Sequence, residues 1–191
     1  MTTTDPVAPR RRARTRTPLP APGTRTTCPG CGLSLPPHKG PTHAYVGSSP
    51  ACWHLFGRLS TDPFARRDGT LLRRLVVDSY AAQHPGVPHR RSIQSVAVHL
   101  MGLCVLLERG VEERRLVPVL GRPPARKTMD LHWLEPPDFT GTVTAADVLA
   151  TGPEESYITS AEAWARSVWE AWRPHHETVR AWLDAPCLHS G

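Results

Sequence analysis

The chain has 191 residues, 39% of them hydrophobic, which suits one soluble domain with a sizeable core. Its five cysteines are an odd number, so complete internal disulfide pairing is excluded. The formal net charge of +6 is concentrated in residues 1–26, where Arg10, Arg11, Arg12, Arg14, Arg16 and Arg25 face one acid, Asp5. The remaining chain is close to neutral.

Residues 1–26 combine Thr, Pro and Arg with almost nothing apolar to bury, and are expected to be a disordered basic tail. They lack the apolar segment of a secretory leader. An arginine-rich arm of this kind offers nucleic acid an electrostatic contact, and the neutral body offers none, so that any nucleic-acid partner is expected only through the tail. A cytoplasmic location with no membrane association is expected, because no apolar run reaches the ~18 residues of a span. The longest such run, residues 96–107, is interrupted by His99 and Gly102 and fits a buried helix.

Residues 27–60 form the expected metal-knuckle segment. Gly and Pro dominate its first half, which is too poor in apolar residues to fold unaided. Within it stands Cys28-Pro29-Gly30-Cys31-Gly32. Two thiolates two residues apart can both reach one zinc ion, and the glycines allow the tight turn around it. A C-x-x-C pair can also be a redox couple, but that chemistry favours a helix start after a strand. Cys52, at the start of a helix opened by Pro50, is the candidate third ligand. His43 is the candidate fourth, with His38 and His54 as alternatives.

Residues 61–186 read as a helical domain packed on the knuckle. Leu72, Leu75, Val76, Ser79 and Tyr80 predict the buried stripe of a helix over 70–83, stopped by Pro85-Gly86. Ser92 is the expected cap of a central helix over 93–109, apolar nearly all round and ended by Gly110. Residues 111–140 read as an irregular surface excursion that contributes Trp133 and Leu134 to the core edge. Thr144 precedes a short helix at 145–150. A last long helix is predicted over 160–184, with Trp164, Val168, Trp172, Val179 and Trp182 inward and a kink or break at Pro174. The fold class is therefore mainly α: a helical bundle-like domain with a small zinc-ribbon-like N-terminal element and the basic tail.

Three helical histidines carry a second hypothesis. His84, His99 and His176 on separate helices could converge on an open metal site, with Asp78 and Tyr80 as acid/base or supporting groups. The two resulting functions differ in class. One is a zinc-stapled binding protein. The other is a metal-dependent, hydrolase-like enzyme whose candidate catalytic residues are His84, His99, His176, Asp78 and Tyr80. No phosphate loop, nucleophile elbow or H-E-x-x-H motif is present.

The segments CPGCG at 28–32, GPTHAYVGSSPACW at 40–53, VDSYAAQHPG at 77–86, RSIQSVAVHL at 91–100, WLEPP at 133–137 and the Trp-rich stretch at 164–183 resemble an uncharacterised bacterial family, a domain of unknown function. The resemblance implies that Cys28, Cys31, His43, Cys52, Asp78, Tyr80, His84, His99 and His176 belong to a family pattern. It implies no activity. Arg73 stands where a family-like His is expected, which weakens a second metal site here.

Overall fold

The computed structural model describes residues 23–61, 69–109, 129–151 and 154–185. Residues 1–22, on which most of the expected tail falls, and 110–128, which hold most of the expected irregular excursion, lie outside the described residues.

The first element is a minimal hairpin. Strands β1 (Thr26–Thr27) and β2 (Ser34–Leu35) pair antiparallel, with Thr26 opposite Leu35 and Thr27 opposite Ser34. Two residues per strand supply very little pairing energy, so the hairpin needs another anchor. Helix α1 (Pro50–Thr61) follows. Its start combines Pro50 at the first helical position with Ser49 as cap, whose Oγ accepts from the Cys52 amide at 3.2 Å.

Helices α2 (Gly69–Gln83) and α3 (Arg90–Glu108) pack side by side at the centre. Helix α3 begins three residues before its expected start, because His89 rather than Ser92 caps it and accepts from the Arg91 amide at 3.3 Å. Among the described residues α3 is long and apolar enough to cross a membrane by length and composition. Its buried residues, Val96 through Leu106 with His99 excepted, face the bundle, which accounts for that apolarity.

Helix α4 (Ala145–Ala150) is opened by Thr144, whose amide and hydroxyl both bond Asp147 Oδ2 at 2.7 Å. The predicted last helix is two helices. Helix α5 (Glu154–Ala171) begins earlier than expected, a 3-10 turn (Arg173–His175) interrupts, and α6 (His176–Leu183) follows as the last helix among the described residues. Pro174 has no amide hydrogen to continue the ladder, so the outcome is a break rather than a bend. Helix α5 packs on α2, α3 and α4; α6 returns to α3; α1 lies against α2 and α4.

The tryptophans fill the space between these helices, and three of the buried indole N–H groups have a named acceptor. Trp164 donates to Gln83 Oε1 at 3.0 Å, Trp172 to the Ala82 carbonyl at 3.1 Å, and Trp169 to Glu108 Oε1 at 2.9 Å. The Gln83 amide, fully buried, also donates to Thr142 Oγ1 and the Val143 carbonyl, tying the segment before α4 to α2. Leu134 is buried and Trp133 half-buried, as the core-edge expectation has it. Cys104 is plain core: burial, the largest cause, pushes its thiol up to about 12.

Candidate metal centre

The hairpin turn is built around the first two thiols. The Cys28 amide donates to the Leu33 carbonyl at 2.9 Å, and the Gly32 amide to the Cys28 carbonyl at 3.0 Å. Gly32 has φ of +72°, a conformation that disfavours any side chain, and so closes the turn. This places Cys28 and Cys31 inward, 1% and 5% exposed, on a segment that is otherwise largely exposed.

The first turn of α1 brings Cys52 to the same point, with its Sγ 3.8 Å from that of Cys31. Ser49 joins cap and cluster, since its amide points at Cys28 Sγ at 3.4 Å while its hydroxyl caps α1. The fourth donor arrives from the end of α2: His84 Nε2 lies 3.3 Å from Cys52 Sγ. The ligand atoms of Cys28, Cys31, Cys52 and His84 all lie within 4.8 Å of one another, and all four residues are buried. This cluster is able to hold a metal ion.

Its dimensions match a tetrahedral site. Sulfurs about 2.3 Å and a nitrogen about 2.0 Å from one ion stand roughly 3.8 Å apart, sulfur to sulfur, and roughly 3.5 Å, sulfur to nitrogen. The thiols are free rather than joined, and 3.8 Å is far outside a disulfide bond. His84 is already set in the right tautomer. Its Nδ1 lies 2.7 Å from the Tyr80 carbonyl, which can only accept, so Nδ1 carries the hydrogen and Nε2 is left for the sulfurs or an ion.

The electrostatics of the cluster also favour a cation. Hydrogen bonds from Cys31 and then Cys52 hold the Cys28 thiol far below its usual range. Cys52 is pushed far up by its hydrogen bonds to Cys28 and Cys31 and by burial, because a further negative charge beside the first is resisted. Burial opposes charge on His84, but hydrogen bonds to Cys28 and Cys31 outweigh it and raise its pKa to about 9.

Aromatic rings enclose the site. Tyr80 stacks on His84 with centroids 4.0 Å apart and on Phe56 at 4.2 Å, and its hydroxyl points at Cys52 Sγ at 3.7 Å. Burial, first, keeps that phenol protonated far beyond its usual range. Gly30 admits the imidazole: a Cβ there would lie 2.5 Å from His84 Cδ2 and 2.7 Å from the Gly47 carbonyl oxygen. The segment before α1 is tied to the same place by the Gly47 amide, which donates to the His84 carbonyl at 3.0 Å.

His43, the sequence candidate for the fourth ligand, is not in this group. It packs edge-on against Tyr45 at 4.3 Å and lies 5.3 Å from Trp53, with its Nδ1 buried and lacking a hydrogen-bond partner. His38 and His54, the alternatives, stack on each other at 4.3 Å in exposed positions. His84 takes the place proposed for them because the 40–48 segment docks through its backbone at Gly47, bringing the end of α2 to the thiols. The sequence signal was a histidine one turn after Tyr80 and directly before the helix-stopping Pro85-Gly86.

Residues 26–173 match the model of a family of unknown function, DUF5946. The chain belongs to this family. The span matched as DUF5946 runs from the hairpin's first strand to the turn after α5, so it takes in all four cluster residues. No curated protein and no solved structure matches the chain.

The DUF5946 chain does not bring His84, His99 and His176 together, and among the described residues the thiol cluster is the one group of three or more metal-ligating side chains. His99 pairs through Nδ1 with Asp78 Oδ1 at 2.7 Å. His176 stacks on Trp169 at 3.7 Å, and its Nε2 bonds the Trp169 carbonyl at 2.8 Å. Tyr80 belongs with the thiols and Asp78 with His99, so the five candidate catalytic residues divide among three places.

Proposed function

We propose that this protein is a zinc-stapled helical protein, in which one structural Zn2+ held by Cys28, Cys31, Cys52 and His84 fastens the hairpin onto the ends of α1 and α2. The observation that carries this reading is the closed donor set: three sulfurs and one preoriented imidazole nitrogen, all buried, within 4.8 Å of one another. Four protein ligands leave no position for water or substrate, which is the mark of a structural rather than a catalytic zinc. Soft thiolates in tetrahedral array favour zinc over magnesium or calcium. Three unpaired thiols at one point suit a reducing cytoplasm, where the protein would serve as a binding module. A hydrolase-like role through three converging histidines draws no support from this arrangement.

The test is metal content by elemental mass spectrometry of the full chain and two variants. One zinc per chain, lost in His84→Ala and kept in His43→Ala, is expected. Zinc kept in His84→Ala but lost in His43→Ala would overturn the ligand set, and absence of zinc from protein purified without chelator would overturn the reading.

A further inference from the structure

A second feature of the fold lies outside the thiol cluster. A cavity of about 430 Å³ opens between α2, the first turns of α3 and the segment before α1, lined among others by Tyr45, Arg74, Arg91, Gln94, Ser95 and His99. That volume falls in the range of ligand pockets, about 300–1,000 Å³. Among the described residues, its lining holds two guanidiniums and an imidazole, and no carboxylate.

An acid stands behind the wall. Asp78 is fully buried, with Oδ1 2.8 Å from Arg74 Nη2 and 2.7 Å from His99 Nδ1. A buried carboxylate of this kind fixes the two side chains that face the cavity. Because His99 is bound through Nδ1, its Nε2 is the ring nitrogen left to a ligand. Arg74 Nε is buried and lacks a hydrogen-bond partner. A guanidinium edge with an unmet buried donor is suited to a planar or tetrahedral oxyanion.

The sequence of α3 agrees. Its first turn carries Arg90 and Arg91 and no acid, the wrong sign for the positive end of a helix. Stability alone would select Asp or Glu at these positions. An incoming anion reverses that preference, since helix end and arginine then act in the same direction.

We propose that this cavity is a binding site for a metabolite-sized molecule bearing a phosphate or carboxylate group. Arg74 and Arg91 take the oxyanion, Gln94 and Ser95 offer neutral hydrogen bonds, and His99, held by Asp78, contacts the same ligand through Nε2. Tyr45 links the cavity to the segment that docks at the metal cluster, as its carbonyl packs against Gly86 beyond His84.

Calorimetric titration of the full-length, zinc-replete protein with inorganic phosphate and, separately, with succinate tests this. Saturable one-to-one binding of at least one of them is expected, with a Kd of about 1 mM or tighter. The tighter probe tells which oxyanion the site favours. Arg91→Gln and His99→Gln should each weaken that binding about tenfold or more, while Arg173→Gln, an exposed arginine paired with Glu170 and outside the cavity lining, should leave it unchanged. Failure of both probes to saturate by about 10 mM, insensitivity to Arg91→Gln and His99→Gln, or an equal loss in Arg173→Gln would overturn the proposal. Arg91 is exposed, so its variant keeps the fold and the comparison stands.

Discussion

Single atoms decide several features of this chain. At Gly30 even a methyl group would collide with His84 Cδ2 and two carbonyl oxygens. Gly30→Ala is therefore expected to push the imbalance onto the imidazole, lowering stability by about 1–3 kcal/mol and weakening zinc retention in a chelator competition. An unchanged zinc affinity would show that the hairpin can withdraw from α2 without loss. Gly102 poses the same question away from the metal. Its Cβ would lie 2.4 Å from Asp78 Oδ2, so Gly102→Ala should destabilise by about 1–3 kcal/mol despite the ~1 kcal/mol that alanine gains in a helix. Urea denaturation of the variant measures the balance.

A third residue-level expectation concerns pH. The Arg180 guanidinium, foremost, holds the Glu108 carboxyl down at about 2 against its ordinary 4.5, burial opposes, and the Trp169 indole assists. The folded pKa is the lower one, so the ion pair's contribution is present above the unfolded value and is lost as pH falls through 4.5 toward 2. The stability gap between wild type and Glu108→Gln should accordingly narrow between about pH 6 and pH 3. A gap that stays constant over that interval in urea midpoints would show that Glu108 keeps no such preference. The residue scale is also where sequence reading fell short. Cys28 and Cys31 were legible because their spacing is itself the geometry of a chelate. His84 was not, because its place depends on where a helix 32 residues beyond Cys52 ends in space.

At the level of elements, periodicity located the helices and the ends of α2 and α4, but not the starts of α3 and α5. The stripes in α2, α3 and α5 follow from apolar side chains recurring at helical spacing, which packing enforces. Where an end depends on a local hydrogen bond, pattern does not encode it: His89 rather than Ser92 caps α3, whereas the interruption at Pro174 was legible because proline lacks the amide hydrogen. Ser49 shows what such a detail does. One residue caps α1 with its hydroxyl and addresses Cys28 with its amide, so helix start and cluster share a hinge. Ser49→Ala keeps the amide and removes the cap, and should cost about 1 kcal/mol while retaining zinc. Loss of the metal in that variant would show that the hydroxyl, not the backbone, positions Cys52.

For the whole molecule, two stabilising systems meet at α2. Trp164, Trp172, Leu100 and Leu103 are fully buried at positions remote in sequence from the thiols, in a core that the thiols adjoin. The hairpin has two-residue strands and little apolar surface, so its attachment rests on the cluster. Chelation should therefore lower the melting temperature by about 5–10 °C, taking ligand linkage of about 3 kcal/mol at a hundredfold excess over Kd, while most far-ultraviolet helical signal persists. The mainly helical class was visible in the sequence because it rests on local periodicity. How the hairpin joins the helices was only partly so, since it rests on long-range contacts such as that of His84 with Cys52.

The most direct measurement is zinc-edge X-ray absorption on the purified full chain. Three sulfurs at about 2.3 Å and one nitrogen at about 2.0 Å are predicted around a single zinc, with no water oxygen in the first shell. A shell containing a water oxygen or several nitrogens, or fewer than three sulfurs, would contradict a closed site of Cys28, Cys31, Cys52 and His84.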